Sequence, residues 1–167
     1  MTFSSPNLNN LIDNWIDEDI GRGDLTKLIL GKQIVSAYWI SKHNGIFCGG
    51  EIVSQIFKKI DNNTQVTLLI KDGQKFTKDQ KLLELQGTPQ SLLAGERISL
   101  NIAMHLSGIS TKTSELVDAI RDSKIRLADT RKTTPGLRVF EKYAVRCGGG
   151  VNHRMGLDDA AMLKENH

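Results

Sequence analysis

The spacing of apolar side chains predicts two amphipathic helices in the first part of the chain. Apolar positions recur every three or four residues over 8–16, and this stripe stops near Asp19. A second stripe covers residues 52–60 and ends at the turn-forming cluster 61–63. Each predicted helix therefore has one face to bury against another element.

Strands are predicted between and after these helices. Residues 34–40 are β-branched and aromatic, and residues 45–49 have the pattern of a second, shorter strand. Apolar side chains alternate with polar ones over 66–70, residues 71–73 form a turn, and 81–85 predict another strand. Strands accompanied by a packed helix indicate a small α+β sandwich.

The rest of the chain predicts a different architecture. The pattern of 89–106 is helical, with an interruption at Ser107 and Gly108 and a new helix that ends near 122–123. A strand, a helix and a second strand are then predicted at 126–129, 136–147 and 160–164. Such alternation is typical of βα units with a parallel sheet. We therefore place a domain boundary near 105–112.

Composition describes an ordinary globular protein. The chain has 167 residues, of which 39% are hydrophobic, enough for a core. No run of roughly 18 apolar residues suggests a membrane span, and the N-terminus lacks the basic and apolar regions of a secretion signal. We therefore expect a cytoplasmic protein without a membrane partner.

The positive charge is local. Residues 1–124 contain 14 basic residues (Lys and Arg) and 14 acidic residues (Asp and Glu). Residues 125–167 contain 8 basic and 5 acidic residues, so the net charge of +3 belongs to the last segment. A nucleic-acid-binding protein usually spreads its basic residues over a face and adds exposed aromatics. With 5% aromatic residues and a neutral first part, nucleic-acid binding is the weakest hypothesis.

The basic residues of this segment surround turn-forming glycines. Arg131 and Lys132 follow the predicted strand 126–129, His153 and Arg154 stand before the next one, and Lys164 lies near its end. Loops at the carboxyl ends of parallel strands form the binding face of α/β proteins. Because guanidinium groups bind carboxylates and phosphates in pairs of hydrogen bonds, we predict a small polyanionic ligand. No phosphate-binding loop of the Walker type precedes Lys132.

The two cysteines, Cys48 and Cys147, have neither a Cys-x-x-Cys partner nor a histidine at metal-site spacing. We interpret both mainly as packing residues. A catalytic thiol at Cys147 would need a nearby base, for which His153 is the candidate.

Several longer motifs resemble those of the quinolinate phosphoribosyltransferase family. They are residues 129–136 (DTRKTTPG), 141–145 (EKYAV), 148–157 (GGGVNHRMGL), 18–24 (EDIGRGD), 45–50 (GIFCGG) and 96–101 (ERISLN). Together they extend over nearly the whole chain. The resemblance implies an α+β N-terminal sandwich domain over 1–108 and the first part of a C-terminal α/β barrel over 109–167.

The resemblance also implies a reaction, in which quinolinate and phosphoribosyl pyrophosphate give nicotinate mononucleotide, pyrophosphate and carbon dioxide. Mg²⁺ accompanies the pyrophosphate donor, and the family is dimeric. The residues that it implies for substrate binding are Arg97, Thr130, Arg131, Lys132, His153, Arg154 and Lys164. Of these, Arg97 is expected to reach into the active site of the partner subunit. No catalytic side chain or metal ligand is assigned within the chain.

The end of the sequence departs from the family pattern. The chain stops close to the second predicted βα strand, where the family's barrel needs several more, so we expect the barrel to be truncated. An alternative hypothesis is therefore a catalytically inactive remnant or an interaction fragment of the enzyme. A related phosphoribosyltransferase-like enzyme associated with molybdenum uptake shares the Thr-Arg-Lys-Thr motif, but residues 151–155 (VNHRM) favour the quinolinate enzyme.

Overall fold

The computed structural model describes residues 7–163 and 165, apart from the side chains of residues 27 and 28. Its elements, in chain order, are α1 (Leu8–Ile20), a short 3-10 helix (Leu25–Ile29), β1 (Val35–Ile40), β2 (Gly45–Ile46), α2 (Gly50–Ile60), β3 (Gln65–Leu68), β4 (Lys75–Phe76), β5 (Lys81–Gly87), α3 (Pro89–Ala119) and α4 (Arg138–Cys147). The helices predicted for 8–16, 52–60 and 136–147 are confirmed.

The strands form two small antiparallel sheets. In the larger one β5 lies between β1 and β3, with Val35 opposite Gly87 and Gln65 opposite Gln86. In the smaller one β2 pairs with β4. The pattern of residues did not predict β4, because two residues are too short to show an alternation. The α+β class predicted for this part is confirmed.

Apolar packing joins the helices to the larger sheet. One cluster fills the space between α2, α3 and β5 and includes Val53, Phe57 and Leu83. A second cluster joins all four α-helices and includes Ile12, Ile56, Leu106 and Phe140, each without exposed surface. Among the helices of the described residues, none is long and apolar enough to cross a membrane.

The interruption predicted at Ser107 and Gly108 is wrong, because α3 is a single unbroken helix of 31 residues that includes both positions. The reason lies in contacts distant in sequence. The hydroxyl of Ser107 accepts a hydrogen bond from the Cys48 N–H at 3.0 Å, and that of Ser110 donates to the Ala144 carbonyl at 2.8 Å. Glycine in a helix costs about 1 kcal/mol relative to alanine, which this packing offsets.

The two strands predicted in the last segment are also wrong as regular strands. Residues 126–129 contribute one parallel bridge, Ala128 to Val151, and no strand is found among the described residues of 160–164. Segment 126–129 therefore pairs with Val151, which lies nine residues before the start of the strand predicted at 160–164. His153 and Arg154 consequently follow the parallel pairing instead of preceding a strand.

Candidate anion-binding site

Parallel pairing brings the two basic loops to the same side of the molecule. The Val151 N–H donates to the Leu127 carbonyl at 2.9 Å, and the Asp129 N–H donates to the Val151 carbonyl at 3.1 Å. Loops 130–136 and 152–156 leave this pairing at its carboxyl end. We call these two loops the anion-binding edge, the position at which α/β proteins place their ligands.

A buried ion pair holds the two loops in place. The Lys142 ammonium, on α4, contacts the carboxylate of Asp129, and the two side chains are 2% and 7% exposed. Lys142 also donates to the His153 carbonyl at 2.9 Å, while Asp129 accepts from the His153 N–H at 2.8 Å. The Asn152 amide donates to the same carboxylate. Every strong donor around Asp129 is thus supplied by α4 or by the second loop.

Arg138, the first residue of α4, also connects the two loops. Its guanidinium donates to the Thr133 hydroxyl at 3.1 Å and to the Arg131 carbonyl at 3.4 Å, both in the first loop. It also donates to the Met155 carbonyl of the second loop at 3.0 Å. Because this cation bonds neutral carbonyl and hydroxyl oxygens, its positive charge is not cancelled and adds to the field of the edge.

Glu141 ties the first loop to α3. One carboxylate oxygen lies 2.9 Å from the His105 ring, and the other accepts from the Thr134 N–H at 3.1 Å. Burial alone would raise the pKa of Glu141, but the hydrogen bonds from Thr134 and His105 outweigh it and hold the pKa below its ordinary value. Glu141 therefore remains ionised and keeps the Pro135-Gly136 turn against the helix pair.

The predicted ligand-binding side chains differ in how they are held. The Thr130 hydroxyl accepts from the Lys132 N–H at 3.0 Å, which shapes the turn. The Arg154 guanidinium donates to the Ala160 carbonyl at 2.6 Å, and the backbone N–H of Arg154 donates to Nδ1 of the His153 ring. Lys132 and His153 are exposed, whereas Arg131 and Arg154 are half-buried.

Arg131 is left with an unsatisfied donor. Its Nε atom is buried and has no hydrogen-bond partner within the part of the chain that the structure describes. Within the same residues, none of the four basic side chains of the two loops forms an ion pair with a carboxylate. A buried unpaired donor normally costs about 1–3 kcal/mol, so an anionic acceptor would relieve it.

The other two predicted residues are not brought to the edge. Arg97 is exposed on α3, two helical turns from His105, which corresponds to about 12 Å along the axis. Lys164 lies outside the described residues. The structure therefore joins Thr130, Arg131, Lys132, His153 and Arg154 through the two loops, and it places Arg97 outside these loops, on α3.

The glycine run after α4 permits this assembly. A Cβ atom at Gly148 would lie 2.4 Å from the Ser110 carbonyl oxygen, so only glycine lets α4 end against α3. Gly149 has a φ of 90°, in the left-handed region that glycine adopts without strain. The chain can thus turn back within two residues to reach the pairing at Val151.

Comparisons with known proteins agree with this arrangement. The family description "Quinolinate phosphoribosyl transferase, N-terminal domain" matches residues 24–107, and its C-terminal counterpart matches residues 109–167. The chain belongs to the quinolinate phosphoribosyltransferase family. The family resemblance of the sequence motifs is thereby confirmed.

Individual members of the quinolinate phosphoribosyltransferase family are similar over almost the whole chain. A probable carboxylating nicotinate-nucleotide pyrophosphorylase of Bacillus subtilis is 48% identical over 96% of this chain and 56% of its own length. A Synechocystis relative of the same name is 48% identical over 93% of this chain and 53% of its own. The solved nicotinate-nucleotide pyrophosphorylase of Francisella tularensis superimposes with a TM-score of 0.95 at 42% identity, covering 98% of this chain and 60% of that one. The chain thus spans about half the length of these curated relatives.

Three residues that organise the edge were missed in the sequence. Asp129, Lys142 and Arg138 hold the loops without being predicted for any role. A signal existed for the first, because an acidic residue directly after an apolar strand often faces the carboxyl-end loops. Nothing local identifies Lys142, since its partners lie 13 positions upstream and 11 downstream and meet only in the folded chain.

Proposed function

We propose that this chain carries the quinolinate-binding part of a quinolinate phosphoribosyltransferase, which joins quinolinate to phosphoribosyl pyrophosphate with release of pyrophosphate and carbon dioxide. The single observation that carries the proposal is the buried, unpartnered Nε of Arg131 at an edge whose four basic side chains have no carboxylate partner among the described residues. The names of the similar bacterial proteins support the same reaction.

The charge of the ligand fits the charge of the edge. Quinolinate carries two carboxylates on adjacent ring carbons, and the pyrophosphate donor adds several more negative charges. Bringing both together requires cations fixed before the substrates arrive, because reorganising them during the reaction would cost energy. Arg131 and Arg154 can each bind a carboxylate through two parallel hydrogen bonds, and His153 can donate a further one through its second ring nitrogen.

The residues of the edge bind and orient in this proposal and do not form bonds with substrate. When the pyrophosphate leaves, positive charge develops on the ribose, and the pyridine nitrogen of quinolinate attacks it. The carboxylate beside that nitrogen then departs as carbon dioxide. Arg131 and Arg154 hold the carboxylates and set the direction of the nitrogen, which raises the effective concentration of the attacking atom.

Mg²⁺ is proposed to enter with the pyrophosphate donor. Among the described residues, the cluster of possible metal ligands combines the thiols of Cys48 and Cys147 with one carboxylate. Thiols are soft ligands, and Mg²⁺ requires oxygen ligands, so this cluster does not fit the ion. This group of described residues would therefore not hold Mg²⁺.

A homodimer is proposed as the functional assembly, with Arg97 completing the partner's site. An apolar groove of about 1330 Å³ lies between β1 and the outer face of α3 and includes Leu93, Glu96 and Met104. Leu93 and Met104 are 49% and 68% exposed, a large apolar surface for a chain on its own. Arg97 neighbours this groove in sequence, so a second copy bound there would meet its guanidinium.

Substitution of Arg131 tests the binding proposal. Arg131→Gln should weaken quinolinate binding by about 1.5–3 kcal/mol, since one charge-assisted contact is lost, and should not lower the free energy of unfolding, since it removes the unsatisfied donor. Isothermal titration of the full chain with quinolinate measures the effect. Arg126→Gln is the matched control, because Arg126 is exposed and precedes the parallel pairing. Equal affinities of wild type and Arg131→Gln would contradict the proposal.

A separate assay distinguishes enzyme from binding fragment. Release of carbon dioxide from quinolinate that depends on phosphoribosyl pyrophosphate, measured on the 167-residue chain, would support the enzyme. Quinolinate binding without turnover would support the alternative, a fragment that binds the dicarboxylate or a longer partner.

A further inference from the structure

The two cysteines of the chain, far apart in sequence, meet in the fold. Cys48 lies in the segment between β2 and α2, and Cys147 is the last residue of α4. Their sulfur atoms and a carboxylate oxygen of Asp72 all lie within 4.8 Å of one another. We infer that Cys48 and Cys147 form a dithiol pair that a small-molecule disulfide, such as oxidised glutathione, converts reversibly into an intrachain disulfide. The inference does not rest on the proposed function.

The carboxylate beside the sulfurs is already fully engaged. One oxygen of Asp72 accepts from the N–H groups of Gly49 and Gly50 at 3.0 Å each, where it caps the start of α2. The other accepts from the Tyr143 hydroxyl at 2.9 Å. A metal ion would have to compete with three hydrogen bonds and would have only two thiols left, fewer than the four ligands of a structural zinc site. The geometry therefore favours disulfide chemistry over metal binding.

The two thiols have different environments. Cys48 has no exposed surface, whereas Cys147 is partly exposed. Hydrogen bonding between the two thiols lowers the pKa of Cys147, with a further contribution from Tyr143, and the same contact together with burial raises the pKa of Cys48. Cys147, the partly exposed residue with the lowered pKa, is thus the better nucleophile, and the buried Cys48 is placed to react second.

The exchange balances with one oxidised glutathione molecule. The thiolate of Cys147 attacks one sulfur of the disulfide, whose S–S bond breaks and releases one glutathione thiolate. Cys48 gives its proton to that thiolate, and its sulfur then attacks the sulfur of Cys147. The mixed disulfide breaks, the second glutathione leaves and takes up the proton that Cys147 had released. Two protein thiols are oxidised and one small disulfide is reduced to two thiols.

Closing the bond would bring the two sulfurs, which already lie within 4.8 Å of each other, to a bond length of about 2.05 Å. The bond would attach the C-terminus of α4 to the segment that precedes α2. Because α4 also carries Lys142, oxidation would cross-link that segment to the helix that supports the anion-binding edge.

The test uses the full chain equilibrated with oxidised and reduced glutathione in several ratios, blocked with an alkylating reagent and analysed by mass spectrometry. The expected product has lost two hydrogens, accepts no alkyl group, remains a monomer on a non-reducing gel and recovers both thiols with dithiothreitol. Peptide mapping without reductant should join the peptides of Cys48 and Cys147. Before oxidation, Cys147 should react with a thiol reagent at least about tenfold faster than Cys48.

Two variants identify the order of the steps. Cys48→Ala should accumulate one glutathione on Cys147, and Cys147→Ser should leave Cys48 unmodified while the chain stays folded, as monitored by circular dichroism. If a variant does not fold, the labelling rates and products of the wild-type chain decide. Four outcomes would each overturn the inference. They are two alkylatable thiols after full equilibration, a final product with glutathione on either cysteine, a covalent dimer, and thiols that react only after chelation of bound metal.

Discussion

The layered elements and the anion-binding edge bury different kinds of side chain. In the layered elements, α1 to β5 with α3, the large fully buried residues are apolar, for example Phe47, Phe57 and Leu83. Behind the edge, α4 also buries a charged side chain, that of Lys142, which is 1% exposed and paired with Asp129. Apolar packing tolerates small changes of shape, whereas a buried charge depends on one partner.

This difference separates stability from ligand binding. Loss of an apolar contact leaves a cavity and lowers the free energy of unfolding, with little effect on loops elsewhere. Loss of the ion pair leaves a buried charge and also releases the loops that present the cations. At the edge, stability and ligand binding are therefore coupled. Substitutions of the buried ion pair there should change both the free energy of unfolding and ligand affinity, whereas substitutions in the layered elements should change the free energy of unfolding alone.

The largest effect is expected for Lys142→Met. Removing the ammonium leaves the Asp129 carboxylate buried without its cation, which should lower the free energy of unfolding by about 3–5 kcal/mol. Because the His153 backbone loses the same partner, quinolinate affinity of the remaining folded protein should fall as well. Urea unfolding and isothermal titration measure the two effects.

Lys112→Met is the matched control for that substitution. Lys112 pairs with Glu115 at 2.9 Å, but the two side chains are 70% and 59% exposed, so the loss should not exceed about 1 kcal/mol. Similar losses of unfolding free energy for Lys142→Met and Lys112→Met would show that the buried ion pair contributes no more to stability than the exposed one.

A cavity in the layered elements should affect stability alone. Leu106→Ala removes a side chain without exposed surface from the cluster that joins the four α-helices, and should cost about 2–5 kcal/mol in urea unfolding. Quinolinate affinity, measured well below the unfolding midpoint, should stay within error of wild type. Leu116→Ala, on the same helix but 45% exposed, provides the control. A clear loss of affinity in Leu106→Ala would remove the distinction between the regions.

The smallest effect is expected for Glu141→Gln and depends on pH. The folded pKa of Glu141 is below its ordinary value of 4.5, so its ionised form stabilises the fold above that pH, and the contribution disappears as pH falls through the lowered value. We expect Glu141→Gln to cost about 1–2 kcal/mol near neutral pH and progressively less below 4.5. Urea unfolding at several pH values measures this difference. A cost that stays constant or grows on acidification would contradict the assigned role.

The elements with a strong period could be predicted from the sequence. Helices α1, α2 and α4 and strands β1, β3 and β5 follow the apolar spacing of their own residues, because each must bury one face. The motifs around Arg131 and His153 also identified the family, and they predicted an anionic ligand. That these side chains bind quinolinate remains a prediction.

The rest was decided by contacts between distant residues. Continuity of α3 through Gly108 depends on partners at Cys48 and Ala144, and the parallel pairing falls at Val151 because Gly148 lets α4 end close to α3. No local pattern encodes such partners. Sequence alone therefore determined the helical and strand periods and the basic motifs of this protein. Only the tertiary structure decided which loops meet, that Lys142 holds them through Asp129, and that the two thiols are neighbours, because burial and pairing are properties of the folded chain.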